Sequence, residues 1–200
     1  MASINALIGL LGKGLTGDWK KAIDLIGGEA KAEDTLKRAK VLAIKRAAAF
    51  AARKIVENLN SSGALAGAPF APLADSTVAR RKKGRNKGAG NKPLIDTGDM
   101  RGSVHPHFVD ENTAFAGLKR GSVGKEGKDR ADIAMIHEYG ALKKVTGGAM
   151  HVEEAIPARP FVGPVLEKFA PDMGKVYAES MEKSFEKVDV KPEMPVLETT

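Results

Sequence analysis

Two hundred residues, 42% hydrophobic and 28% charged, make room for one globular domain with a real core and point away from two domains or wholesale disorder. No cysteine is present, which excludes a disulfide framework, an iron–sulfur cluster and any thiolate zinc site. The net charge of +7 favours a polyanion or an acidic protein as neighbour; it is unevenly spread, with seven Lys or Arg and no acid in Arg80–Lys92 but six acids against three lysines in the last 22 residues.

Residues 1–28 read as a separate arm, broken by Gly9, Gly12, Gly14, Gly17 and the pair Gly27–Gly28, with two helical turns over Asp18–Ile26 and Asp18 as N-cap. The apolar run Ile4–Leu11 has no positive charge before it and is too short to span a bilayer, so neither a signal peptide nor a membrane span is expected. A single domain follows over 29–187. From Glu29 to Asn60 there is no Gly or Pro, and Val41, Ile44, Ala48, Ala51, Ile55 and Leu59 recur at spacings of three and four, with Leu36 and Phe50 widening the stripe. That spacing predicts a long amphipathic helix. Its cations, Lys37, Arg38, Lys45, Arg46, Arg53 and Lys54, read most simply as a solvated face. Asn60–Pro93 has little periodicity and reads as a long loop, basic at its end through Arg80, Arg81, Lys82, Lys83, Arg85, Lys87 and Lys92. No aromatic interleaves that run, so contact with nucleic acid there would be sequence-independent and salt-sensitive; a flexible tether that merely stays soluble explains the run nearly as well.

After Pro93, a β-hairpin is expected with Gly102–Val109 against Thr113–Leu118, turning at Asp110–Asn112, Pro106 being confined to an edge or a bulge. Gly117–Arg130 is a second glycine-rich, charged loop. "ADIAMIHEYG" places Ile133, Ile136 and Tyr139 on a short helix closed by Gly140. Ala141–Ala155 reads as a mobile loop. "IPARPFVGP" carries three prolines, which push Ile156, Arg159 and Gly163 out of helical geometry and predict a rigid strut holding Arg159 and Phe161 for a partner, or else a plain connection. Helical spacing returns over Val165–Lys187, through Val165, Leu166, Phe169, Met173, Val176, Met181 and Phe185. The tail 188–200 is polar and expected to fray. There is no internal repeat.

The chemistry-bearing signals are weak. "HEYGA" opens like the zinc-protease helix motif, but Ala141 stands where the second histidine is needed. His105 and His107 share a strand face without a nearby carboxylate, and His151 lies apart. Glu153 and Glu154 are adjacent rather than facing, and no nucleophile elbow, phosphate loop or dinucleotide fingerprint is present. Neither an enzyme nor a cofactor is expected.

More specific is a series in fixed order: "FAPLADSTVARRKKG" leading to "PLIDTGDMRGS", then "IHEYG", then "IPARPFVGP" ahead of a C-terminal helix. It resembles the tail-completion, or virion morphogenesis, family of long-tailed bacteriophages, whose members carry a similar "L-x-TG-x-L-R-x-S … HE-[FY]-G … IPARPF" series. The match runs from about Pro69 to Glu167, with Met100 in place of the usual Leu. The resemblance implies an α+β fold, with the long N-terminal helix and the C-terminal helix packed on a small, mostly antiparallel sheet. It implies a structural virion protein of the neck or upper tail, made in the bacterial host cytoplasm. Copies would form a six- or twelvefold ring joined to connector, tail-terminator or tail-tube proteins, with the genomic DNA in the channel as a further contact and no membrane partner. On this reading Asp96, Thr97, Gly98, Arg101, His137, Glu138, Tyr139, Gly140, Pro157, Arg159, Pro160 and Phe161 form the motif and its inter-subunit contacts. Thr97 or Asp96 would cap a turn in which Gly98 takes positive φ. Phe161 would bury against a neighbour, contributing about 1.5–3 kcal/mol, and Arg159 would pair with a carboxylate or a carbonyl beside it. The rival reading is a sequence-independent nucleic-acid-binding or non-virion assembly factor using the basic residues 80–92.

Overall fold

A computed structural model describes residues 28–83, 91–124, 127–147 and 150–186. The expected arm up to Gly27, Arg85, Lys87 and the tail from Lys187 lie outside the described residues. The fold is α+β, with long first and last helices and small antiparallel hairpins.

Helix α1 runs over Glu29–Asn60, the bounds its uninterrupted sequence predicts. Ala39, Ala43, Ala48, Ala51, Ala52, Ile55 and Leu59 are its buried apolar positions, whereas Val41, Ile44, Leu36 and Phe50 are half-covered. The first half therefore buries alanines rather than the larger residues of the stripe, because small side chains let neighbouring elements approach the backbone closely. Nor is the basic face merely solvated. Lys37 pairs with Glu111 at 2.7 Å, Lys45 lies 4.6 Å from the centre of the Phe108 ring, and Arg46 donates to Ser180 Oγ at 3.1 Å. The Glu111 contact, first by hydrogen bond and then by charge, raises the Lys37 pKa above its ordinary value.

The expected loop after α1 is largely ordered. A 3₁₀ turn over Ala64–Ala66 is followed by an extended stretch that buries Phe70, and then by α2, Asp75–Lys83. Periodicity misses this segment because side chains distant in sequence hold it. Lys168 donates to Leu65 O at 2.7 Å, and Asn58 Oδ1 accepts from Ala66 N at 3.0 Å. The tether reading is thus corrected for residues 61–83, where the basic cluster Arg80–Lys83 forms the last turn of a helix.

A single helical turn, α3 (Asp99–Gly102), follows Gly98, whose φ of 82° and the bond from Asp99 N to Thr97 Oγ1 at 3.2 Å form the turn expected there. Strands β1 (His105–Phe108) and β2 (Ala114–Gly117) make the predicted hairpin, trimmed at both ends and preceded by α3 where strand was expected at Gly102. Pro106 stands opposite Ala116. Each strand of a two-stranded sheet is an edge, which is where proline is tolerated.

Helix α4, Arg130–Tyr139, starts at Asp129, whose Oδ1 accepts from Ala131 N at 2.9 Å and Oδ2 from Gly121 N at 2.7 Å. Those two backbone bonds, Gly121 first, hold the Asp129 carboxyl below the usual range. The buried residues of α4 are Ala131 and Ala134; of the three residues the sequence places on this helix, Ile133 is half-buried while Ile136 and Tyr139 are exposed. The segment read as a mobile loop is instead a hairpin, β3 (Ala141–Gly147) against β4 (Met150–Ile156), with Gly147 opposite Met150. Its signal in the sequence is the β-branched pair Val145–Thr146 ahead of two glycines, with Val152 and Ile156 after them.

Helix α5, Gly163–Glu186, returns antiparallel along α1, as Asn58 meeting Phe161 and Arg46 meeting Ser180 require. It continues through Pro171, which the periodic reading passed over. Pro171 and Glu167, four residues before it, are both exposed, so the carbonyl left without its usual donor faces solvent. The core joins Ala52, Ile55, Leu59, Phe70, Val104, Ala134, Phe161 and Val165 at the C-terminal end of α1.

Candidate functional site

The residues of the sequence series meet at that same end of α1. Glu138, in the last turn of α4, accepts three backbone N–H groups at the start of α5: Phe161 N and Val162 N on Oε2 at 2.8 and 3.1 Å, and Gly163 N on Oε1 at 2.8 Å. A helix leaves its first N–H groups without partners, and a carboxylate there both accepts them and meets the positive end of the helix dipole. Glu138 therefore caps α5 from 25 residues away.

Arg159 completes the lock. Its side chain is buried, with Nε donating to Ala71 O and Nη2 to Pro72 O, both at 2.8 Å, while its backbone N donates to His137 O at 2.6 Å. One guanidinium thus ties the strut to the extended stretch after α1, using the fork that suits two carbonyls side by side. Burial lowers its pKa from the ordinary arginine value. The prolines Pro157 and Pro160 keep the strut extended, as the sequence predicts, but Gly163, expected outside helical geometry, is the first residue of α5, because a proline in the first turn of a helix has no bonded N–H to lose.

Phe161, fully buried, fills the core between α1 and α5. This corrects the expectation that the strut offers Phe161 and Arg159 to a neighbouring subunit. Both are spent within the chain, because the helices converge here and need a large apolar filler and a donor for two carbonyls. Gly140 belongs to the same lock: its φ is 78°, and a Cβ there would lie 2.9 Å from Ile156 O and 3.2 Å from Ala158 N. Only glycine lets the end of α4 come this close to the strut.

His137 is mostly covered, and its Nδ1 is buried without a hydrogen-bond partner among the described residues. Desolvation, and then the Arg159 charge, lower its pKa below 6.5. Asn58 is the residue that sequence reading missed. Fully buried, it donates Nδ2 to Phe161 O at 3.3 Å and accepts from Ala66 N, linking α1, the 3₁₀ turn and the strut. The available signal was a polar residue three positions after Ile55, within the apolar stripe.

Among the remaining motif residues, Arg101 donates to Asn60 Oδ1 at 3.0 Å at the end of α1. Asp96 lies 3.4 Å from Arg81 Nε, whose Nη1 also donates to Lys92 O at 2.8 Å. Arg81 is therefore turned inward, with its side chain 9% exposed, while Arg80, Lys82, Lys83 and Lys92 face solvent. Among the described residues the basic cluster divides into one structural arginine and four exposed cations. Tyr139 is the exception in the motif: at 75% exposure it points away from the lock that Glu138, one residue earlier, makes.

This arrangement has the chemistry of a clasp, in which donors meet carbonyls, a carboxylate caps a helix and an aromatic ring fills the gap. Among the described residues no three of His, Asp or Glu come together to hold a metal ion, and no helix is long and apolar enough to cross a membrane. No family model matches the chain, and no curated protein or solved structure matches it.

Proposed function

We propose that this chain is a structural virion protein of a phage head–tail junction, a tail-completion or neck component that acts by assembly and not by catalysis. One observation carries the reading: the ordered pieces of the series, dispersed over Pro69–Glu167, are all used around one end of α1. Ala71 and Pro72 come from the first piece, Arg101 from the second, Glu138 and Gly140 from the third, Arg159 and Phe161 from the fourth. A series whose members depend on one another in space is a signature of a fold, so its resemblance to the tail-completion family weighs more than any single motif. The domain then serves as a rigid block, and the surface around it meets copies of itself and adjoining connector, tail-terminator or tail-tube proteins.

The test is cross-linking mass spectrometry on purified particles of the encoding phage. The chain is expected among the virion proteins, with lysine links to connector or tail proteins. Its absence from particles overturns the reading. The exposed cations Arg80, Lys82 and Lys83 favour the second reading, sequence-independent nucleic-acid binding. That reading requires affinity for mixed-sequence DNA which falls steeply between low and physiological salt.

A further inference from the structure

The first half of α1 carries a hollow of about 310 Å³, lined by Asp34, Lys37, Arg38, Val41, Leu42 and Lys45. Its cations are already engaged within the chain, Lys37 by Glu111, Arg38 by Asp34 and Lys45 by the Phe108 ring. What the hollow offers is therefore apolar: the Val41 and Leu42 side chains, with the aliphatic stems of the long basic residues around them. Leu42 is 39% exposed there. A hollow whose charged groups are occupied selects an apolar ligand, and the chain itself carries one beside it.

We propose that this hollow receives the chain's own arm, through the apolar stripe of Asp18–Ile26, a segment outside the described residues. Three observations select that occupant. The first is direction: the chain enters α1 at Gly28 with φ 93° and ψ 172°, so the arm leaves the axis of the helix instead of prolonging it, at a conformation that glycine adopts without strain. The second is reach. Asp34 and Lys45 stand six and seventeen residues past Gly28, about 9 and 26 Å along α1 at 1.5 Å per residue. A helix over Asp18–Ile26 folded back from Gly28 carries Trp19 about 14 Å, level with Arg38 at about 15 Å and inside the extent of the hollow. The third is pattern: Trp19, Ala22, Ile23 and Ile26 follow the i, i+3, i+4, i+7 spacing of one helix face, with Lys21 and Asp24 opposite. Residues 187–200 carry Pro192 and Pro195 and no such stripe. The inference concerns one chain alone and stands apart from the virion reading.

The sequence supplies its own probe, since Trp19 is the single tryptophan and no cysteine competes for a label. In the full-length protein Trp19 should emit at shorter wavelength than in denaturant. A nitroxide quenches indole emission only at close range. Placed on Arg38→Cys, at the rim of the hollow, it should lower the Trp19 emission at least about twofold, because a tethered arm holds indole and label at high effective concentration. The same label on Tyr139→Cys, in the exposed last residue of α4, should leave the emission unchanged. Leu42→Asp changes the floor of the hollow at an exposed position, so it should keep the helical circular-dichroism signal while shifting the emission to longer wavelength and relieving the Arg38→Cys quenching. Labelled Arg38→Cys/Trp19→Phe mixed with unlabelled protein should show no quenching. Solvent-like emission of Trp19, an equal response to both labels, or indifference to Leu42→Asp overturns the proposal. Quenching in the mixture also overturns it, by giving the hollow to the arm of a second copy.

Discussion

The two ends of α1 are held in different ways. At the C-terminal end, polar side chains are buried and paired, and Phe161, Leu59 and Ile55 close a core around them. Toward the N-terminal end, buried positions are alanines, and the large apolar groups Leu42 and Phe108 stay in solvent among lysines. The first end is closed by buried, paired groups; the second is held by exposed contacts, Lys37 with Glu111, Arg38 with Asp34 and Lys45 over the Phe108 ring. "IHEYG" crosses that division within two residues, since Glu138 caps α5 while Tyr139 points outward. A recognisable motif is therefore no guide to the binding surface. Here its most distinctive residues serve the fold.

Breaking the locked end should cost most. Phe161→Ala removes a fully buried ring and should destabilise the domain by about 3–5 kcal/mol in chemical denaturation. Unchanged stability together with lost assembly would return Phe161 to an interface role. Arg159→Ala leaves the Ala71 and Pro72 carbonyls without their donor and should cost about 2–3 kcal/mol, with Arg159→Lys recovering only part, because an ammonium cannot reproduce the fork. Equal stability of the two variants would count against the two-carbonyl grip.

Glu138→Gln keeps the shape but loses the charge at the start of α5, at about 1–2 kcal/mol, measured by the same unfolding curves. His137 adds a pH dependence of definite sign. Its folded pKa is lowered below 6.5, so the unfolded chain takes up the proton first. Stability contributed by the neutral ring is complete above pH 6.5 and declines as pH falls from there through the lowered folded value. In His137→Asn that part of the slope should be missing from a thermal melt series between neutral and acidic pH.

The smallest effects are expected on the exposed cations. Lys82→Gln and Lys83→Gln should each change stability by less than about 0.5 kcal/mol, whereas Arg81→Gln, which removes the contacts to Asp96 and Lys92, should cost visibly more. Equal costs at all three positions would erase the division of the basic cluster.

What the sequence determined by itself was local. The absence of Gly and Pro over Glu29–Asn60 sets the bounds of α1, Thr97 and Gly98 specify their turn, Gly140 ends α4, and prolines keep Ile156–Pro160 extended. These follow from backbone sterics and periodicity, which act within a few residues. Tertiary structure decided the rest. The order of residues 61–73 depends on Asn58, Arg159 and Lys168, whose bonds there span 8, 87 or 88, and 103 positions. The same holds for the inward turn of Arg81 and for the burial of Phe161 within its own chain. A proline-rich strut presents its side chains at fixed positions whichever surface receives them, and only the convergence of α1 and α5 makes that surface the chain's own core.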